Sequence, residues 1–185
     1  MNNGQFTLLR TDAEIRERIS QLAAQISADF ADRVTADNPL LLLCTLRGAV
    51  FFAADLVRKL TVPAEIDFLK VHSYQGTRPA GAPVFDLGEK VAVKGRQVLI
   101  IEDIVDTGHT MDTVLHTFRS QGAEELRICT MLDKPARRDP QCRHIVPAYI
   151  GFSIPDLFVV GWGLDYNEQF RLLPDIMVYH PEAEA

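Results

Sequence analysis

The chain has 185 residues, 47% of them hydrophobic and 24% charged, which suits one globular domain with a sizeable core. Its formal net charge of −6, with no long basic run, argues against nucleic-acid binding on a basic face. No apolar run approaches the roughly 18 residues of a membrane span. The opening Met1-Asn2-Asn3-Gly4-Gln5 has no signal-like apolar core, and the three cysteines, Cys44, Cys129 and Cys142, are odd in number and far apart. A reducing, cytoplasmic setting is expected.

The first predicted element is a helix over residues 11–34. Thr11 and Glu14 form a capping box, and Ile15, Ile19, Leu22, Ile26 and Phe30 share one face, which reads as scaffold. Asn38-Pro39 breaks the chain before the run Leu40–Leu46, a strand buried on both faces. Arg47-Gly48 follows, then a helix over about 49–60. A glycine turn with a cation at a strand end can bind anionic oxygens. Residues 65–74 read as a third strand with Ile66, Phe68, Leu69 and Val71 as the candidates for burial. From Gln75 to Pro83 the glycines and prolines preclude a core, so a flexible loop is expected, with Val91-Ala92-Val93 returning as a strand.

The stretch Val98–Thr110 carries the chemistry. Four apolar residues lead into Glu102 and Asp103, with Asp106-Thr107-Gly108-His109-Thr110 three positions further on. Met111, Val114, Leu115 and Phe118 then recur at helical spacing up to Gly122, giving strand, loop, helix. Loops at the carboxyl ends of such strands bind ligands in open α/β sheets. Successive amides entering a helix N-terminus, with Gly108 permitting close approach, form an anion cradle, and Thr107 and Thr110 add hydroxyl donors. Glu102 and Asp103 would repel the same phosphate and suit hydroxyl donors or a hydrated cation. A sugar phosphate such as ribose 5-phosphate satisfies both halves.

The remaining segments are less explicit. The strand Leu126–Leu132 ends in Asp133-Lys134-Pro135, which places Lys134 at a strand's carboxyl end. The stretch to Pro147, with Arg137, Arg138 and Arg143, reads as a solvated loop. Cys142 and His144 lack a second pair at ligand spacing, so zinc is not expected. No Gly-x-Gly-x-x-Gly or Walker-type loop follows a strand, against dinucleotide and P-loop readings.

The segment Glu102–Thr110 resembles the phosphoribosyl-pyrophosphate (PRPP) binding motif of type I phosphoribosyltransferases: two acidic residues, two apolar residues, Asp, Thr or Ser, Gly, any residue, Thr. His109 fills the variable position. Residues Ile154–Arg171 closely resemble the C-terminal signature of the hypoxanthine-guanine branch, and the likeness extends in order over most of residues 40–179.

This resemblance implies a set of roles. Asp106 would be the general base. Glu102 and Asp103 would hold the ribose hydroxyls, and Asp106, Thr107, Gly108, His109 and Thr110 the 5-phosphate. Pyrophosphate would meet Leu46, Arg47, Gly48, Ser73, Tyr74 and Arg171. The purine would meet Lys134, Phe158, Val159 and Asp165. Mg²⁺ is the implied cofactor, held by Glu102, Asp103 and Asp165.

The expected fold is α/β: a mainly parallel sheet flanked by helices, in one domain over 1–185. Its core would span about 36–150, its small hood about 1–20 and 151–185, and its flexible loop about 73–90. The expected reaction transfers a phosphoribosyl group from PRPP to hypoxanthine or guanine. A xanthine-preferring enzyme and a non-catalytic PRPP-sensing regulator are the alternatives. The family implies a homodimer or homotetramer.

Overall fold

The structure is a computed structural model and describes residues 5–72, 84–86 and 92–180. Ser73, Tyr74 and most of the expected flexible loop lie outside the described residues.

Strand β1 (Phe6–Arg10) leads into helix α1 (Asp12–Phe30). The capping box forms as the sequence predicts: Glu14 N donates to Thr11 Oγ1 at 3.2 Å and Thr11 N donates to Glu14 Oε2 at 2.8 Å. Strand β2 (Leu40–Leu46), helix α2 (Val50–Val57), strand β3 (Ala64–His72) and strand β4 (Val84–Asp86) follow. The returning strand is therefore β4, antiparallel to β3, and Ala92 and Val93 join no strand. Strand β5 (Gln97–Val105), helix α3 (His109–Ser120) and strand β6 (Glu125–Asp133) carry the central motif. After two single-turn 3₁₀ helices come β7 (Tyr149–Ser153), β8 (Val159–Val160) and β9 (Ile176–Tyr179).

Six strands form one sheet in the order β4-β3-β2-β5-β6-β7, parallel apart from β4. Both faces are covered, and this is why β2 shows no polar alternation. Leu40, Leu42 and Cys44 join Leu99, Ile101 and Cys129 beneath α1 and α2. Leu41 and Leu43 face the other way, with Val98, Ile100 and Ile128, against Met111, Val114, Leu115 and Phe118 of α3. The cover is incomplete at β3. Ile66 and Phe68, expected in the core, remain 40% and 42% exposed, because no helix among the described residues reaches that part of the face.

A second sheet joins the chain ends, antiparallel in the order β1-β9-β8, with Phe6 opposite Tyr179 and Val159 opposite Val178. It brings β8 and the turn after it to the carboxyl ends of β5 and β6.

The buried foot of β6 and β7 predicts how stability responds to alkali. Burial pushes the Tyr149 hydroxyl up to about 12, helped by its bond to Asp29 (2.8 Å) and opposed by Arg127, and burial raises the Cys129 thiol. The unfolded chain releases both protons at lower pH than the folded one. Above their ordinary values of 9.0 and 10.0 the folded state holds more protons, so stability falls as pH rises. Urea midpoints are expected to drop steadily from about pH 9 upward. The Cys129→Ala variant, measured against its own value at neutral pH, should show a shallower drop.

Candidate active site

Strand β5 stays paired with β6 past its apolar run, to Val105 opposite Asp133. Glu102 and Asp103, expected in the loop, therefore stand on the strand itself, and the turn shrinks to Asp106-Thr107-Gly108 before α3. Glu102 is 9% exposed. Its Oε1 accepts from Thr45 Oγ1 at 2.7 Å and from Asp103 N at 3.1 Å. Burial, then the neighbouring Asp103 charge, holds the Glu102 carboxyl well above the usual carboxylate range. Burial also raises Asp103, against the pull of the Ile104 amide and the Arg171 charge.

The carbonyls of the turn point away from the cavity, toward the segment after β6. Lys134 N donates to Val105 O at 3.0 Å, Asp139 N donates to Thr107 O at 3.0 Å, and the Arg138 guanidinium donates to Asp106 O. Among the described residues, no group accepts from the backbone N–H groups of Thr107, Gly108, His109 or Thr110. These are the free donors of a helix N-terminus. The loop holding Arg138 is thus no solvated tether. Arg138 pairs with buried Asp133 while its chain touches Gly108, and Arg137 Nε reaches Asp106 Oδ1 at 3.3 Å. His109 Nδ1 hydrogen-bonds with Cys142 Sγ at 3.3 Å, its Nε2 lies 3.3 Å from Asp139 Oδ2, and His144 Nε2 lies 2.8 Å from Asp112 Oδ1.

Gly108 has φ +93°, and a Cβ there would lie 2.9 Å from both Arg138 Cδ and Cys142 Cβ. Gly108→Ala combines a left-handed alanine with overpacking and is expected to cost about 2–4 kcal/mol by denaturant titration.

Two adjoining cavities share Asp103, Ile104 and Asp106. One, of about 280 Å³, is lined by Thr45, Leu46, Glu102 and the turn to Thr110. The other, of about 420 Å³, is lined by Lys134, Arg137, Phe158, Val159 and Asp165. Lys134 is buried at the end of β6. Phe158 is half-exposed and meets Tyr166 edge-on, centroids 5.6 Å apart.

The strand end of β2 closes the first cavity. The Leu46–Arg47 peptide is cis. A Cβ on Gly48 would fall 1.6 Å from Asp103 Oδ2, and one on Gly163 would fall 2.4 Å from Gly48 O. Asp165 and Arg171 meet at 2.8 Å, and Arg47 reaches Glu168 at 2.9 Å. Of the expected residues, Glu102, Asp103, Asp106, Thr107, Gly108, Thr110 and Leu46 line the first cavity, Lys134, Phe158, Val159 and Asp165 the second, and His109 lines neither. Arg47, Gly48 and Arg171 border them. Sequence reasoning missed Thr45, whose hydroxyl meets Glu102, the brace at Arg137–Asp139, and Gly163. The glycine of Trp162-Gly163-Leu164 was the one available signal for the last.

A turn whose amides find no acceptor among the described residues, beside two carboxylates suited to hydroxyls, has the geometry that a sugar phosphate would require. Residues 10–169 match the family described as phosphoribosyl transferase domain, and the chain belongs to that family. Among its relatives, hypoxanthine phosphoribosyltransferase of Salmonella typhimurium is 41% identical over 167 residues, covering 88% of this chain and 89% of that protein. Hypoxanthine-guanine phosphoribosyltransferase of Mycobacterium tuberculosis is 38% identical over 177 residues, covering 95% and 86%. The structure of Trypanosoma cruzi hypoxanthine phosphoribosyltransferase in complex with the product IMP matches with a TM-score of 0.88 at 35% identity, covering 98% of both chains.

Proposed function

We propose that this chain is a purine salvage enzyme that transfers the 5-phosphoribosyl group from PRPP to hypoxanthine or guanine, giving IMP or GMP and pyrophosphate. The observation that carries this reading is the set of amides at Thr107, Gly108 and Thr110, without acceptors among the described residues, in one cavity with Glu102 and Asp103 that adjoins a second cavity lined by Lys134 and Phe158.

The amides and the Thr107 and Thr110 hydroxyls bind the 5-phosphate, and Glu102 and Asp103 accept from the ribose hydroxyls. The purine stacks on Phe158 and lies along the backbone of Val159. A ring nitrogen attacks C1′ as pyrophosphate leaves from the opposite face, and positive charge builds on the sugar ring as in glycoside cleavage. Asp106 takes the purine ring proton. Lys134 donates to the exocyclic O6, and an amino group there would set donor against donor, so adenine is rejected.

Glu102 and Asp103 present adjacent hard oxygen donors. Among the described residues no three His, Cys, Asp or Glu side chains converge to cage a metal. That donor set fits Mg²⁺, which typically takes one or two carboxylates and completes its shell with water and substrate oxygens. Asp165, bound to Arg171, would reach such an ion through water. When bound, Mg²⁺ neutralises pyrophosphate oxygens and makes the leaving group better. Ile66 and Phe68 on β3 are exposed apolar side chains of a sheet face, and there we place contact with further copies of the chain in a homodimer or homotetramer. No helix of the described residues is long and apolar enough to cross a membrane, and the scattered unpaired cysteines suit the cytoplasm.

The test mixes protein, Mg²⁺ and PRPP with hypoxanthine, guanine, xanthine or adenine and follows pyrophosphate release. Turnover is expected with hypoxanthine or guanine and not with adenine. Release with xanthine alone, or with no base, overturns the reading.

A further inference from the structure

The two arginines bordering the first cavity share one carboxylate. Arg47 Nη1 lies 2.9 Å and Arg171 Nη2 3.3 Å from the same oxygen, Glu168 Oε2. Arg171 is further held by Asp165 Oδ1 at 2.8 Å and by Gly163 O at 2.8 Å, and its charge is felt at Asp103. The buried Arg171 Nε has no partner among the described residues. Arg47 is mostly exposed, and Glu168 is its one ion-pair partner among the described residues.

The backbone shows that this placement is costly. Tyr166 and Gln169 exchange backbone hydrogen bonds at 3.2 and 3.0 Å around Asn167 and Glu168, whose φ angles are +52° and +62°. This is a two-residue turn with both central residues left-handed, in which the second position favours glycine. Asn167 is at home there. Glu168 is not, and it persists where a glycine would relieve the strain. Its amide donates to Asp165 Oδ2 at 2.9 Å, which ties the turn to the Arg171 side of the site.

We infer that Glu168 is a placeholder anion in the pyrophosphate subsite, holding Arg47 and Arg171 together and giving them up when a pyrophosphate group arrives. This rests on the reading of Arg47 and Arg171 as pyrophosphate-binding residues. It also explains how an acidic chain keeps two cations poised for a polyanion without leaving them unpaired. Because the incoming group must displace Glu168, the carboxylate weakens the hold on pyrophosphate and speeds its release. Glu168 is thus a positioning residue that tunes product affinity.

The test is calorimetric titration of the full chain, with Mg²⁺, by inorganic pyrophosphate. Two exposed ion pairs are each worth little, so Glu168→Gln is expected to bind pyrophosphate about three- to tenfold more tightly. Glu168→Gly, which also relaxes the turn, should tighten binding at least as much. Product inhibition by pyrophosphate should strengthen in both variants by the same factor. Unchanged or weaker binding in both overturns the inference. Arg171→Gln separates the two levels: loss of pyrophosphate affinity there upholds the subsite, whereas unchanged affinity overturns the subsite assignment itself.

Discussion

Replacing Asp106 with asparagine lowers turnover by about 10²–10⁴-fold, the usual contribution of a positioned general base, and leaves the Kd for PRPP nearly unchanged. The substitution isolates the carboxylate's charge. Asparagine keeps the side-chain volume, the backbone amide and the Asp106 carbonyl that Arg138 holds. The turn proposed to receive the 5-phosphate therefore keeps its shape, and what is lost is the proton acceptor and its charge pairing with the exposed Arg137. Asp106 faces both cavities, so its carboxylate can act on a purine whose attacking nitrogen lies over the sugar. Single-turnover kinetics, with PRPP affinity measured separately, check this. Wild-type turnover would remove Asp106 from the proton's path.

Gly48→Ala is expected to cut kcat/KM by about a hundredfold with a much smaller effect on stability. The new Cβ meets Asp103 Oδ2 at 1.6 Å and Asp103 Cγ at 2.8 Å, so the carboxylate must swing out of place. Asp103 is the far end of a short side chain, and moving it does not open the core. It does move the group that we propose holds the ribose hydroxyls and the cation, where an error near 1 Å costs on the order of a hundredfold. Gly163 O would lie 3.2 Å from the same Cβ, so the methyl group is confined by the backbone there as well. Steady-state kinetics alongside thermal unfolding distinguish the outcomes. An active Gly48→Ala enzyme would show that Asp103 is free to move without consequence.

The sequence made most of the parallel sheet legible, because β2, β5 and β6 are short β-branched or leucine-rich runs that only a doubly covered sheet explains. β7 was not legible: Gly151 interrupts Tyr149–Ser153, and the reason for it is tertiary, since a Cβ there would meet Met131 O at 2.3 Å. The strands β1 and β9 were missed because each is short and finds its partner at the other end of the chain. Ile66 and Phe68 read as core because hydrophobicity alone does not say whether a helix reaches that part of the sheet. In the site, the motif Glu102–Thr110 located the turn and both carboxylates. It did not show that β5 continues through them, which depends on pairing with β6. The arginines at 137 and 138 looked solvated because their acceptors, Asp106 and Asp133, are brought to them only by the fold.

A crystal structure of the protein with IMP tests the whole account most directly. The 5′-phosphate should lie on the amides of Thr107–Thr110, the ribose hydroxyls at Glu102 and Asp103, and the base on Phe158 with O6 within reach of Lys134 Nζ. A nucleotide seated elsewhere, or with its phosphate at Lys134 and the 107–110 amides vacant, would contradict it.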